Sequence, residues 1–417
     1  MRRLKKIISL LLLLFLTVGI SCASEPIAEP ETVSDLTVHQ IHLYGDMEKM
    51  YEKKDVRHIE AMFVQDGTRI ACYASIKVQG TSSLAYEKKN YTIRFYSDPA
   101  HDSELDVDFG WGAQNEYCLK ANWIDNTHSR NVVTARLAAE VQAKYGVLEQ
   151  APCNGLIDGF PVEVYINDEF HGLYTCNIPK SAWMFGMDED NPNHIVMCGE
   201  NWNSPTLFYA SPDFDCWSVE AGPENQETLD QFTRLADFIM NSSIKDFKEN
   251  FHEYLDLDAT LNYCILVDFA FLRDNTGKNM LMATYDGKIW YPSLYDLDTS
   301  WGTNYDGLEL LDYENMMADF GEYNNLARRM EMIFPQELHD RYFELRSSIL
   351  TKEHVMELFH DFDAAIPEDA KAKETERWGE DIPGYGFEQI EAYLDYMLER
   401  LDQKYSRRCV FHEADAH

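Results

Sequence analysis

The chain reads Arg273-Asp274-Asn275-Thr276-Gly277-Lys278-Asn279, then an apolar run from residue 280 to 285, Asp286-Gly287, a second run from 288 to 294, and Tyr295-Asp296-Leu297-Asp298. Two apolar runs joined by Asp-Gly predict a β-hairpin, because a two-residue type I′ turn needs positive φ at both central positions. Pro292 lacks the N–H that an inner strand must donate, so it assigns the second run to a sheet edge or a bulge. Folding the chain back about residues 286 and 287 sets Asn279 opposite Leu294. The 274–279 segment then reaches the same end of the hairpin as Asp296 and Asp298, and three carboxylates and an amide converge.

Phosphoryl transfer needs such a group: hard oxygen ligands for Mg²⁺ or Mn²⁺, and a carboxylate that orients the attacking hydroxyl and takes its proton. Protein kinases set an Asp five residues before a metal-binding Asn, then a hairpin, then a second metal-binding Asp. On that order Asp274 is the candidate base, Asn279 and Asp296 are candidate metal ligands, and Asp298 is a second ligand or a support. Either half alone is weak, since paired Asp residues commonly cap turns; the joint order carries the reading.

Outward from the hairpin the chain divides in character. Residues 38–96 are largely strand-like, with 70–78 and 91–96 rich in β-branched and aromatic residues around a Gly80-Thr81-Ser82-Ser83 turn. Residues 116–119 read as a strand, 131–145 as a helix with Val132, Ala135, Leu137 and Val141 mainly on one face, and 161–166 with 172–176 as a hairpin about Asn167-Asp168. Beyond a long irregular connection, 199–225, the period turns helical at Leu229, Phe232, Leu235, Phe238 and Ile239, and again over 259–272 behind the capping residue Asp258. A last helix is expected over 387–405. The fold class is α+β, with a β-rich N-terminal lobe (about 37–200) and a mainly helical C-terminal lobe (about 201–410).

The 417 residues, 45% hydrophobic and 13% aromatic, suffice for a substantial core. Lys and Arg total 36 against 72 Asp and Glu, and the resulting charge of −36 repels phosphate backbones and anionic lipid. Nucleic acid is thereby excluded as an expected partner, while divalent cations and basic protein segments suit the excess, which also serves solubility. Residues 1–23 read as an export signal: Arg2, Arg3, Lys5 and Lys6 precede an apolar run from residue 7 to 20, followed by Ser21, Cys22 and Ala23. Either Cys22 is lipidated or cleavage follows Ala23. Residues 24–36 form an acidic, proline-containing linker, and the main domain is expected over 37–410. No later segment reaches eighteen consecutive apolar residues, so any membrane attachment is expected through an N-terminal lipid anchor. Nine cysteines show no metal-site spacing and mostly lie in apolar stretches, which predicts buried thiols, with a disulfide of unread pairing the alternative in an exported protein.

Several segments, taken in order, resemble the CotH kinase family. Tyr295-Asp296-Leu297-Asp298-Thr299-Ser300-Trp301-Gly302 is similar to its Trp-Asp-Leu-Asp element, with Tyr295 in place of Trp. Ile76 to Ser83, followed by Lys88-Lys89-Asn90-Tyr91, resembles its Arg-Gly-Asn-Ser-Ser turn and Lys-Lys-Ser-Tyr strand. Leu119 to Asp125 with Arg130-Asn131, and Val162 to Asn167 with His171 to Tyr174, resemble two further blocks, Asp168 replacing a Gly. Where many members carry an acidic residue after that Tyr, this chain has Asn177-Ile178-Pro179-Lys180, which leaves open whether this strand faces nucleotide. The likeness spans about residues 60–310, with the last helix a looser match.

The resemblance implies a two-lobed protein-kinase-like fold and an ATP- and metal-dependent kinase acting on Ser or Thr of an exported or surface protein. It implies Gly80, Ser82, Ser83 and Lys89 as phosphate contacts, with Lys120 competing with Lys89 for the lysine role. Arg130 is either a further contact or the ion-pair partner of Asp125. Two other functions stay open: a kinase-shaped module that binds nucleotide or a partner without turnover, and a carboxylate-based hydrolase of surface glycans.

Overall fold

Alternating apolar residues along the N-terminal strands need one buried face, and the strands supply it by pairing in a ring. The computed structural model describes residues 31–32, 39–65, 68–307, 320–379 and 385–414. Its first seven long strands are β1 (His39–Tyr44), β2 (Arg57–Gln65), β3 (Thr68–Gln79), β4 (Asn90–Tyr96), β5 (Glu116–Lys120), β6 (Gly159–Ile166) and β7 (Glu169–Asn177). They pair in the order β3-β2-β1-β6-β7-β5-β4, and β4 pairs again with β3. All contacts are antiparallel except β1 with β6. The β6–β7 turn forms as expected, with Asn167 and Asp168 at φ 50° and 67° and Ile166 paired with Glu169.

This ring corrects the two-lobed, protein-kinase-like expectation. The chain is α+β, but its N-terminal half is a closed seven-stranded β-barrel followed by a helical C-terminal region. Closure depends on β1 joining β6 more than 115 positions later, as in His39 with Val162, a pairing that no local pattern announces. It leaves no open barrel edge for another chain to extend. Ile41, Leu43, Phe63, Ile76, Ile93, Phe95, Leu119, Val164 and Tyr174 fill the interior.

A second, four-stranded antiparallel sheet has β8 (Ile195–Gly199), β9 (Trp217–Ala221), β10 (Met280–Thr284) and β11 (Trp290–Leu294), in the order β9-β8-β10-β11. Pro292 thus sits on an edge strand. The connection expected to be irregular over 199–225 contains β9.

The helices are α1 (Arg130–Lys144), α2 (Gln226–Asn241), α3 (Ile244–Asn250), α4 (Leu257–Phe269), α5 (Asn325–Ile333), α6 (Pro335–Arg346), α7 (Lys352–Ala364), α8 (Glu368–Trp378) and α9 (Phe387–Ala414). The cap of α4 is Asp256, which accepts from the Ala259 N–H at 2.8 Å, and the expected cap Asp258 instead pairs with Arg341. The export signal lies outside the described residues; of the linker, Glu31–Thr32 pair with Arg69 and Thr68 of β3. Cys72, Cys118, Cys176, Cys198 and Cys216 are buried free thiols. Among the described residues no helix is long and apolar enough to cross a membrane.

Helix α8 is fastened to the barrel by a buried ion pair. Lys88, wholly enclosed, donates to the carbonyls of Ala121 at 3.0 Å and Leu173 at 2.5 Å, and to Glu374 at 2.6 Å. Glu374 also accepts from the Leu173 N–H at 2.7 Å. Removing one partner strands a charge without water. Glu374→Ala should therefore cost roughly 3–5 kcal/mol in urea unfolding; a change near zero would show that the pair does not fasten the helix.

Candidate functional site

The β10–β11 hairpin delivers the acidic cluster, in a register one residue away from the one expected. Met280 pairs with Leu294 and Thr284 with Trp290, so five residues connect the strands and Asn279 falls just outside the ladder. The cause is the Asp286 carboxylate. Its Oδ1 accepts from the N–H groups of Lys288 at 2.8 Å and Ile289 at 2.9 Å, a side-chain turn that competes with type I′. Of the Asp-Gly pair only Gly287 has positive φ, at 69°.

Both chain segments at the open end of the hairpin then bend sharply. Asn279 and Asp296 adopt left-handed backbone, φ 61° and 58°, which Asn and Asp tolerate better than most residues. The buried Asn275 joins the two segments: its Nδ2 donates to the carbonyl oxygens of Asn279 at 3.2 Å and Tyr295 at 3.0 Å. Asn275 is itself held by the Tyr263 hydroxyl of α4, 2.6 Å from its carbonyl oxygen. On the other flank Asn131, at the start of α1, accepts the Leu297 N–H at 2.9 Å.

The result is a cavity of about 350 Å³ between one end of the barrel and the second sheet. Asp274, Asn279, Asp296 and Asp298 line it, and so do Gly80, Ser82, Ser83 and Lys120. Eight of the ten residues predicted from sequence thus share one cavity wall or its rim. Gly80 has φ 102°, and a Cβ there would fall 1.9 Å from Ser83 Oγ, so the turn needs glycine. The other two lie elsewhere. Lys89 turns its ammonium back onto the carbonyls of Leu84 and Tyr86. Arg130 is sealed in an ion pair with Asp125 and donates to Gln389 at 2.7 Å. Of the alternatives left open by sequence, the geometry supports Lys120 over Lys89 and the Asp125 pair for Arg130.

Lys120 Nζ lies 3.2 Å from Asp296 Oδ1. Burial acts to raise the Asp296 carboxyl, but Lys120 outweighs it and holds the group below the usual carboxylate range. Asp298 has no such partner: burial, then the Asp296 charge, push it up to about 7. Asp274 is also raised, chiefly by burial, although Lys278 at 3.7 Å opposes the shift. The Asn279 amide nitrogen is buried with no hydrogen-bond partner.

Sequence reasoning missed Lys180, Glu200, Glu220 and Lys278, which line the same cavity. Lys278 stood inside the decisive segment, next to Asn279. Lys180 stood where the family likeness lapsed, and nothing local tied it to Glu220, forty residues on. A second cavity of about 760 Å³ adjoins the first and shares Ser82, Asp274, Lys278, Thr299 and Tyr305 with it.

In this structure a closed barrel abuts a helical region, and an acid-and-amide cluster faces a glycine turn and lysines. The chain matches the CotH kinase protein family over residues 76–406 of its 417, and it belongs to that family. No curated protein matches it.

A pH dependence follows for the metal-free protein. The folded pKa of Asp298 stands above its unfolded value, so the native state binds more protons between about pH 4 and 7, and stability falls as pH rises through that window. In EDTA, Asp298→Asn should flatten this decline and unfold at higher urea than wild type at pH 8. Equal midpoints at both ends of the window would contradict the environment described for Asp298.

Proposed function

We propose that this chain transfers the γ-phosphoryl group of ATP to a Ser or Thr hydroxyl of an exported or surface protein, using Mg²⁺ or Mn²⁺. The observation that carries the reading is the convergence of Asp274, Asn279, Asp296 and Asp298 on one cavity, opposite the Gly80–Ser83 turn. Its charge fits a polyphosphate. In a chain with twice as many acids as bases, Lys53, Lys120, Lys180 and Lys278 line this cavity beside five carboxylates, a local balance that suits an anion with its counter-cation.

The residues also fit the cation. Asp296 and Asp298 offer hard carboxylate oxygens, and Asn279 on the same cavity wall offers its amide oxygen. These three would hold the ion, which when bound supplies positive charge to phosphate oxygens. Asp274 accepts the hydroxyl proton, and its enclosure beside Lys278 keeps it oriented toward the space shared by the two cavities. Gly80 lets the backbone approach phosphate closely, Ser82 and Ser83 add hydroxyl donors, and Lys120 adds a point charge. The N-terminal 23 residues support export, with or without lipidation at Cys22.

The Lys120–Asp296 pair favours one other reading, a module that binds nucleotide or a partner without turnover, because an ammonium already neutralises the carboxylate a cation would use. Turnover separates the two. Purified protein incubated with radiolabelled ATP and Mn²⁺ should label itself or an exported protein, and Asp274→Ala should lower the rate by about a hundredfold or more. Labelling that survives Asp274→Ala would overturn the assigned base; nucleotide binding with no labelling would favour the binding module.

A further inference from the structure

We propose that Lys180, positioned by Glu220, is a phosphate-binding lysine of this nucleotide site. The inference rests on the kinase reading and adds a residue that the sequence pattern did not mark.

Lys180 follows β7, three residues past its end at Asn177. Its Nζ lies 2.7 Å from Glu220 of β9 and 3.9 Å from Glu200, and it donates to Cys198 Sγ at 3.3 Å. Burial pushes the Cys198 thiol up to about 12, so it stays a neutral acceptor. An ammonium has three donors; these contacts employ two of them, and Lys180 lines the cavity. The Tyr295 ring is near two such groups, 5.3 Å from Lys180 Nζ and 5.6 Å from Lys120 Nζ.

The two lysines differ in what holds them. Lys120 is paired to Asp296, a residue assigned to the cation, so its charge is spoken for in the metal-free protein. Lys180 is held by glutamates with no assigned ligand role. A flexible lysine fixed by a glutamate from another element is the device that protein kinases use at the nucleotide phosphates. The same geometry argues against a second metal site at Cys198, Glu200 and Glu220. Their ligand atoms lie within 4.8 Å of one another, but Cys198 Sγ and the Glu220 carboxylate are already used as partners of the Lys180 ammonium, and the Cys198 thiol is held neutral.

The test is titration of wild type, Lys180→Met, Lys180→Arg and Glu220→Gln with ATP plus Mn²⁺ and, separately, with adenosine, which lacks phosphates. Lys180→Met should weaken ATP by about tenfold or more while changing adenosine by less than about twofold. Lys180→Arg should restore most of the affinity, and Glu220→Gln should show a smaller loss confined to ATP. Unchanged ATP affinity in Lys180→Met, or parallel loss of ATP and adenosine, overturns the proposal alone. A wild-type protein that binds no ATP overturns the kinase reading and this proposal with it. If Lys180→Met does not fold, Glu220→Gln decides by the same two comparisons.

Discussion

The site depends on one buried amide. Asn275 bonds the backbone on both sides of the hairpin mouth, at Asn279 and Tyr295, and so fixes how far apart the two acid-bearing segments stand. Left-handed backbone at Asn279 and Asp296 then turns their side chains away from the ladder and into the cavity. Strain of this kind persists only where neighbours over-determine it. Here Tyr263 of α4 holds Asn275 from one side and Asn131 of α1 holds Leu297 from the other. Two helices far apart in sequence therefore set the geometry of a loop and a strand end.

The barrel supplies the opposite wall. Because it closes on itself, its rim is rigid without needing a partner sheet, and the Gly80–Ser83 turn between β3 and β4 projects from that rim. Lys120 at the end of β5 and Lys180 beyond β7 both come near the Tyr295 ring, at 5.6 and 5.3 Å. The Lys88–Glu374 pair clamps α8 onto β7 behind them. Adjacent lysines thus do unlike work: Lys88 is buried structure, whereas Lys89 closes its own turn.

Local signals carried well from sequence to structure. The strands, the Asn167-Asp168 turn, the last helix and the order Asp274, Asn279, Asp296, Asp298 were all legible, because each rests on spacing within a few residues. What was not legible depended on distance or on competition. Barrel closure needs His39 to meet Val162, and the Lys180–Glu220 pair needs β7 to end beside β9; neither leaves a local trace. The hairpin register slipped by one because the Asp286 side chain outcompeted the turn type its dipeptide suggested. Lys89 was favoured by its motif, but its carbon stem is long enough to return to Leu84 and Tyr86, a choice that packing makes.

The central claim is that one cation sits among Asn279, Asp296 and Asp298, with Asp274 beside the transferred phosphate. A crystal structure with Mn²⁺ and a non-hydrolysable ATP analogue, using the anomalous signal of manganese, tests it most directly. The account predicts a manganese peak in contact with oxygens of Asp296 and Asn279, with phosphates toward the Gly80–Ser83 turn. A peak at Glu200 and Glu220 instead, or nucleotide bound away from this cavity, would contradict it.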